Sequence, residues 1–226
     1  MMRRHRILVM RHSETLANVA HTLSGRKDVD LTERGEAQMA RAVRALCAWG
    51  PDRLWTSPLS RCRAIAEEAS ARLGVPCTVV EDLQEIEFGS AQDLTLEELE
   101  RRGLSFPWRF GADGRSRPAP GAESFEELLE RGRAVLDLLR PLDGATACVT
   151  HGGLSRALVG AALGASARSF WNLRVANVSS LELSCDGDAF TLCSLGLSPE
   201  ELMERRRHPE RAGTDVADAF RKDTTT

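Results

Sequence analysis

The chain has 226 residues, 42% hydrophobic and 28% charged, with a formal net charge of −3. That length predicts one domain, and the composition is that of a globular protein, so wholesale disorder is excluded. The mild negative charge gives no electrostatic footprint for nucleic acid. Of the 30 basic residues only Lys27 and Lys222 are lysines. The six cysteines include no CxxC pair and no zinc-finger spacing, so reduced, partly buried thiols are expected rather than a disulfide scaffold.

In chain order, Arg3, Arg4 and Arg6 precede the apolar run Ile7 to Met10. The run is too short for a signal-peptide core or a membrane span, so a cytoplasmic protein is expected. It reads as a buried strand. Thr32 to Trp49 reads as a helix with Ala40, Val43 and Cys47 on one face. Arg53 to Trp55 reads as a short strand. A helix follows, with Ser57 as its cap and Pro58 at its first position. Leu59, Cys62, Ala66, Ala69 and Leu73 form its apolar stripe, and Gly74 stops it. Thr78 to Val80 reads as another strand.

Ser90 to Gly121 is rich in Gly and Pro, with one helical piece around Leu94 to Arg101, and reads as a lid insertion rather than core. Ser124 and Glu127 form a capping box opening a helix to about Arg140. Ala145 to Thr150 reads as a strand, Gly152 to Leu163 as a helix stopped by Gly164. Ser179 to Leu183 and Ala189 to Cys193 read as a hairpin around Asp186-Gly187. Beyond about Arg207 the sequence turns polar. The expected organisation is a catalytic domain over residues 1–206, with its lid at about 90–121, and a disordered tail over 207–226. Alternating strands and helices predict a three-layer α/β/α sandwich with a mostly parallel central sheet.

Ligands of such sheets gather at the carboxyl ends of the strands. There this sequence places Arg11-His12-Ser13-Glu14-Thr15 with Asn18, Ser57-Pro58-Leu59-Ser60-Arg61, and His151-Gly152-Gly153 opening a helix. Arginine forks and a helix N-terminus suit phosphate oxygens. A neutral imidazole is a nucleophile, and neighbouring arginines keep it neutral. The pattern points to a phosphate pocket built around histidine.

These motifs, with Leu83-Gln84-Glu85-Ile86-Glu87-Phe88-Gly89 between them, resemble the histidine phosphatase superfamily over roughly residues 6 to 195. The resemblance implies His12 as the nucleophile and Glu85 as the proton donor. It implies Arg11, Arg61 and His151 as catalytic phosphate ligands, with Asn18 as a further polar contact, and no metal or organic cofactor. Asn18 reads equally as a helix cap. Ser24, Gly25 and Arg26 read equally as a substrate-side loop and as a simple turn, and Gly152 lets the backbone approach the substrate. Phe106, Trp108, Arg109, Phe110, Arg115 and Arg117 of the lid either hold a second substrate group or simply pack and meet solvent. His5, His21 and His208 have no assignable role. Ser13 stands where the family usually has Gly.

The implied activity is hydrolysis of a small phosphorylated metabolite, with no nucleic-acid or membrane partner. A homodimer is left open. The alternatives are a phosphoglycerate mutase using the same phosphohistidine, a regulatory phosphate-binding module and a phosphatase acting on protein phosphohistidine. The segment Glu85 to Gly89 resembles the phosphatase branch, including α-ribazole-phosphatase-like members. The mutase branch carries a Glu-Arg-His-Tyr stretch there, and this chain has no tyrosine.

Overall fold

The computed structural model describes residues 5–104, 109–110 (backbone), 116–164, 166, 169–187 and 189–208. Six strands form one mixed sheet: β1 (His5–Arg11), β2 (Arg53–Thr56), β3 (Cys77–Val79), β6 (Ala145–Thr150), β7 (Ser180–Asp186) and β8 (Ala189–Leu197). Their spatial order is β3-β2-β6-β1-β7-β8. The first four run parallel, and β7 and β8 are added antiparallel. A two-residue pair, β4 (Arg109–Phe110) and β5 (Ser116–Arg117), forms a separate antiparallel ribbon. The helices are α1 (Leu16–Val19), α2 (Glu33–Trp49), α3 (Ser60–Leu73), α4 (Leu96–Arg101), α5 (Phe125–Leu139), α6 (Gly152–Leu163) and α7 (Pro199–Arg207).

The central strands β1 and β6 are almost wholly buried, as parallel strands covered on both faces must be. Ile7, Val9 and Cys148 pack with α5 and α6, while Leu8, Met10, Ala147 and Val149 pack with α2, α3 and α7. This is the expected three-layer arrangement. No described helix is long and apolar enough to cross a membrane. All six cysteines are free; Cys62, Cys148 and Cys185 are buried and Cys193 is exposed.

Several local expectations need correction. On α2 the core face is Gln38, Ala42, Val43, Ala45, Leu46 and Trp49; Ala40 is exposed and Cys47 half-buried. The edge strand β3 lies one residue earlier than expected, at Cys77–Val79. Helix α3 starts at Ser60, and Ser57 does not cap it. Asp28 instead accepts from the Ser60 amide and hydroxyl, both at 2.7 Å, which frees Ser57 for another partner. The segment expected to be lid rather than core contributes Ala91, Leu94, Leu99 and Ala119 to the buried cluster. Its helix begins only after Thr95, whose side chain and Glu98 form a reciprocal cap. A capping box at Ser198 and Glu201 opens α7. Phe106, Trp108, Arg115 and the tail from 209 lie outside the described residues, as do the side chains of Arg109 and Phe110.

Helices α5 and α6 approach closely at Gly132. A Cβ there would lie 3.0 Å from the carbonyl carbon and oxygen of Ala157. Alanine improves helix propensity by about 1 kcal/mol, but overpacking costs about 1–3 kcal/mol. Crowding should therefore win. Gly132→Ala is expected to lower Tm by several degrees, at about 2–4 °C per kcal/mol for a chain of this size. A thermal melt showing a raised Tm would overturn this account of the α5–α6 crossing.

Candidate active site

The site begins with strand order. The ends of β1 and β6 are in register, Arg11 opposite Thr150, and the pairing extends one step as the His12 amide donates to the Thr150 carbonyl at 2.9 Å. The residues that follow each strand, His12 and His151, are therefore brought side by side, with ring centroids 5.2 Å apart. On the far side of β6, β2 delivers Ser57 and then Arg61 on the first turn of α3. The sequence expectation that His12, Arg61 and His151 converge if their strands are neighbours is met by the order β2-β6-β1.

His12 is buried, and its Nδ1 lies 2.6 Å from the Ser13 carbonyl. A carbonyl only accepts, so Nδ1 carries the proton and Nε2 keeps its lone pair. Burial, then the Arg61 and Arg11 charges, hold this imidazole well below the ordinary histidine range. His151 is depressed likewise, by burial and then by Arg61, His12 and Arg11. The His151 Nε2 lies 2.8 Å from Ser57 Oγ and 3.4 Å from Cys62 Sγ, so both residues brace that ring. Ser13 Oγ, at the position where glycine was expected, is buried without a hydrogen-bond partner among the described residues.

Among the described residues neither active-site guanidinium has a carboxylate partner. Arg61 donates to the carbonyls of Gly25 and Lys27, both at 2.8 Å, and Arg11 donates to the Val175 carbonyl at 2.7 Å. The Nε of each is buried and has no partner among the described residues. Buried charged donors without partners are costly, and an anion seated between them removes the cost.

Glu85 reaches the N-terminus of α6. Its Oε1 accepts from the Gly153 amide at 3.0 Å and from the Ile86 amide at 2.9 Å. A Cβ on Gly153 would collide with Glu85 Oε1 and with the Ile86 side chain, so glycine is what lets the carboxylate in. The backbone beneath Glu85 is held by Arg131, which donates to the carbonyls of Asp82, Gln84 and Glu85 and to both oxygens of Glu123. Thr150 adds a hydroxyl bond to the Leu83 carbonyl at 2.6 Å.

Asn18 takes part in the helix cap, closing α1 with Thr15, and its role as a phosphate contact is left to its place at the cavity. Its Oδ1 accepts from the Asn177 amide at 3.0 Å, and Asn177 also donates to the His12 carbonyl. Val178, next in the chain, has φ +53°, a strained conformation for a β-branched residue. Its amide donates to the same His12 carbonyl at 3.2 Å.

The cavity over these groups has a volume of about 410 Å³. Ser24, Gly25 and Gly152 line it, and so do His21, Arg156, Trp171 and Asn177, which sequence reasoning missed. Arg156 could have been noticed as a charged residue one turn beyond His151-Gly152. Trp171 and Asn177 sit in loops with no pattern that marks them. Arg26 donates to the Glu85 carbonyl at 3.3 Å rather than forming a bare turn. Arg117 forms a two-pronged bond with Glu127, whose carboxyl this lowers to about 2. Its role is thus to tie β5 to α5. His5 is a core residue bonded to Thr146 and the Leu139 carbonyl. Among the described residues no cluster of His, Cys, Asp or Glu is placed to hold a metal.

The family model of the histidine phosphatase superfamily (branch 1) matches residues 7–198. The chain belongs to this superfamily. Among relatives, a "Probable phosphoglycerate mutase" of Erwinia tasmaniensis is 33% identical over 179 residues, 76% of this chain and 81% of its own. A glucosyl-3-phosphoglycerate phosphatase of Mycolicibacterium vanbaalenii is 30% identical over 178 residues, 72% of this chain and 76% of its own. The solved structure of a mycobacterial glucosyl-3-phosphoglycerate phosphatase superposes with a TM-score of 0.76 at 26% identity, covering 87% of this chain and 100% of that one. Histidine phosphatase relatives thus include both hydrolases and mutases.

The depressed histidines make stability depend on pH. Below about pH 6.5 the unfolded chain takes up protons at positions 12 and 151 that the folded chain refuses. The native state is then disfavoured, so stability is full above about pH 6.5 and falls as pH drops from there. Urea midpoints measured from pH 7 to pH 5 are expected to fall, and to fall less in His12→Gln. An equal fall in both proteins would mean that His12 titrates normally.

Proposed function

We propose that this protein is a phosphatase that hydrolyses a small phosphomonoester through a phosphohistidine on His12. The observation that carries the reading is the pairing of a tautomer-locked His12 with two guanidinium groups whose buried Nε atoms lack partners. Arg11 and Arg61 would bind the phosphoryl oxygens, and His151 and Asn18 would complete their coordination. Such chemistry is largely positioning and charge stabilisation, which these residues supply.

In the first step the His12 Nε2 lone pair attacks phosphorus and the ester P–O bond breaks. Glu85 gives its proton to the leaving oxygen. In the second step Glu85 takes a proton from water, the resulting oxygen attacks phosphorus, and the P–N bond breaks to release phosphate. Oε1 of Glu85 accepts from the Ile86 and Gly153 amides, while Oε2 only shares the Gly153 amide at 3.2 Å, so Oε2 is the less engaged oxygen and the one to carry the proton. No step calls on a metal, and activity in EDTA is the expected behaviour.

The Erwinia relative named as a mutase supports a second reading, phosphoglycerate isomerisation through the same phosphohistidine. A panel of phosphomonoesters assayed in EDTA separates the two. Phosphate release identifies the hydrolase; conversion of 3- to 2-phosphoglycerate only after priming with a bisphosphate identifies the mutase. His12→Ala should abolish turnover and phosphoenzyme formation in either case, and appreciable residual activity would remove His12 as nucleophile. Glu85→Gln should slow alkyl phosphates by about 10²–10⁴-fold, the usual span of general acid catalysis, but p-nitrophenyl phosphate much less, because its leaving group needs no proton. Equal losses on both would overturn the acid role.

A further inference from the structure

Asn177 lines the cavity and takes no part in the two chemical steps. It sits in a tight turn over residues 176–179, in which the Ser179 amide donates to the Ala176 carbonyl at 3.2 Å. Val178, with φ +53°, fills the third position of that turn, where a positive φ normally goes to glycine or asparagine. Strain of this kind persists only where surrounding contacts impose it. Here the contacts converge on the nucleophile. Arg11 bonds the carbonyls of Val175 through its guanidinium and of Ser179 through its amide. The Val178 amide and the Asn177 side chain both donate to the His12 carbonyl at 3.2 Å.

These bonds settle which way two side-chain amides point. The His12 carbonyl only accepts, so the Asn177 atom beside it is Nδ2. The same Nδ2 gives its second hydrogen to the Asn18 side chain at 3.0 Å. The Asn18 atom that receives it also receives the Thr15 backbone amide at 3.2 Å. Two donors meet that atom, so it is Oδ1, and Nδ2 is the end of Asn18 left over. Nδ2 of Asn18 has no hydrogen-bond partner among the described residues, and Asn18 borders the same cavity as Arg11, His12 and Arg61. Phosphoryl oxygens need a donor there. The opposite orientation would set the Asn18 carbonyl oxygen against them and its NH2 against two other donors.

We propose that Asn177 is a positioning residue of the phosphate site: anchored on the nucleophile's own carbonyl, it holds the Asn18 side chain with its NH2 turned to the phosphoryl group. Both hydrogens of the Asn177 Nδ2 are engaged within the protein, so its effect is carried by Asn18. The inference rests on the reading of Asn18 as a phosphate contact, and it names what fixes that contact.

The test is a double-mutant cycle read by calorimetric binding of inorganic phosphate, which needs no turnover. The proteins are the unmutated chain, Asn18→Ala, Asn177→Ala and the double variant. Asn18→Ala is expected to weaken phosphate binding about tenfold, the usual cost of one hydrogen bond to a charged group. Asn177→Ala should cost a comparable factor where Asn18 is present, and less than about twofold where it is absent. A merely structural role for Asn177 gives the same factor in both backgrounds and overturns the proposal. So does unchanged binding in either single variant, or no phosphate binding by the unmutated protein. If Asn177→Ala melts too low to assay, Asn177→Leu, close in size and without a donor, takes its place with the same expected pattern. Failure of the phosphatase reading looks different: phosphate binding is coupled in this way, yet the unmutated protein releases no phosphate from any ester and forms no phosphoenzyme.

Discussion

The structure depends on the burial of positive charge without negative charge to match it. Arg61 is almost fully buried, Arg11 nearly so at its Nε, and neither meets a carboxylate among the described residues. Carbonyls of Gly25, Lys27 and Val175 accept some of their hydrogen bonds, and these come from two separate loops. Each loop is in turn fixed by the arginine it holds. Burial and then the same charges keep His12 and His151 neutral, so the electrostatic field that awaits an anion also helps maintain the nucleophile. One imbalance thus organises the loops and sets the state of the imidazoles, and it makes an anionic ligand the natural complement of the fold.

Much of this was legible in the sequence because it lies at strand ends. Arg11-His12, Ser57 to Arg61 and His151-Gly152 each follow a short apolar run, and a parallel sheet must gather them. Legibility failed where a contact joins distant segments without a pattern. Ser57 reads locally as a helix cap, yet its hydroxyl goes to His151 because Asp28, some 30 residues away in sequence, takes the capping role. Asn177 and Trp171 have no periodic or motif context, and only the folded chain brings them to the cavity. The stretch after Ser90 looked like insertion because of its Gly and Pro content. Its few apolar residues, Leu94 and Leu99 among them, are nonetheless core.

Glu85 is an instance of a side chain placed by its backbone as well as by its own bonds. The chain around it lacks regular structure apart from short turns, which would ordinarily leave a carboxylate loosely held. Arg131 compensates by gathering the carbonyls of Asp82, Gln84 and Glu85, with Glu123 neutralising its charge. The glycine at 153 then admits the carboxylate to the end of α6. A rigid seat on one side and an open one on the other give a group that is fixed in position yet accessible.

The cavity is assembled from two kinds of chain. Its deep end comes from β1, β2, β6 and the helices that leave them, all locked into one sheet register. Its outer wall comes from Leu23, Phe88 and Trp171 on loops and short turns and from Leu96 at the start of α4, all outside that register. Exchange of residues along the outer wall can therefore alter which molecule is admitted while the deep end stays as it is. A protein built this way can change its diet without relearning its chemistry, since the two are written in different stretches of the chain.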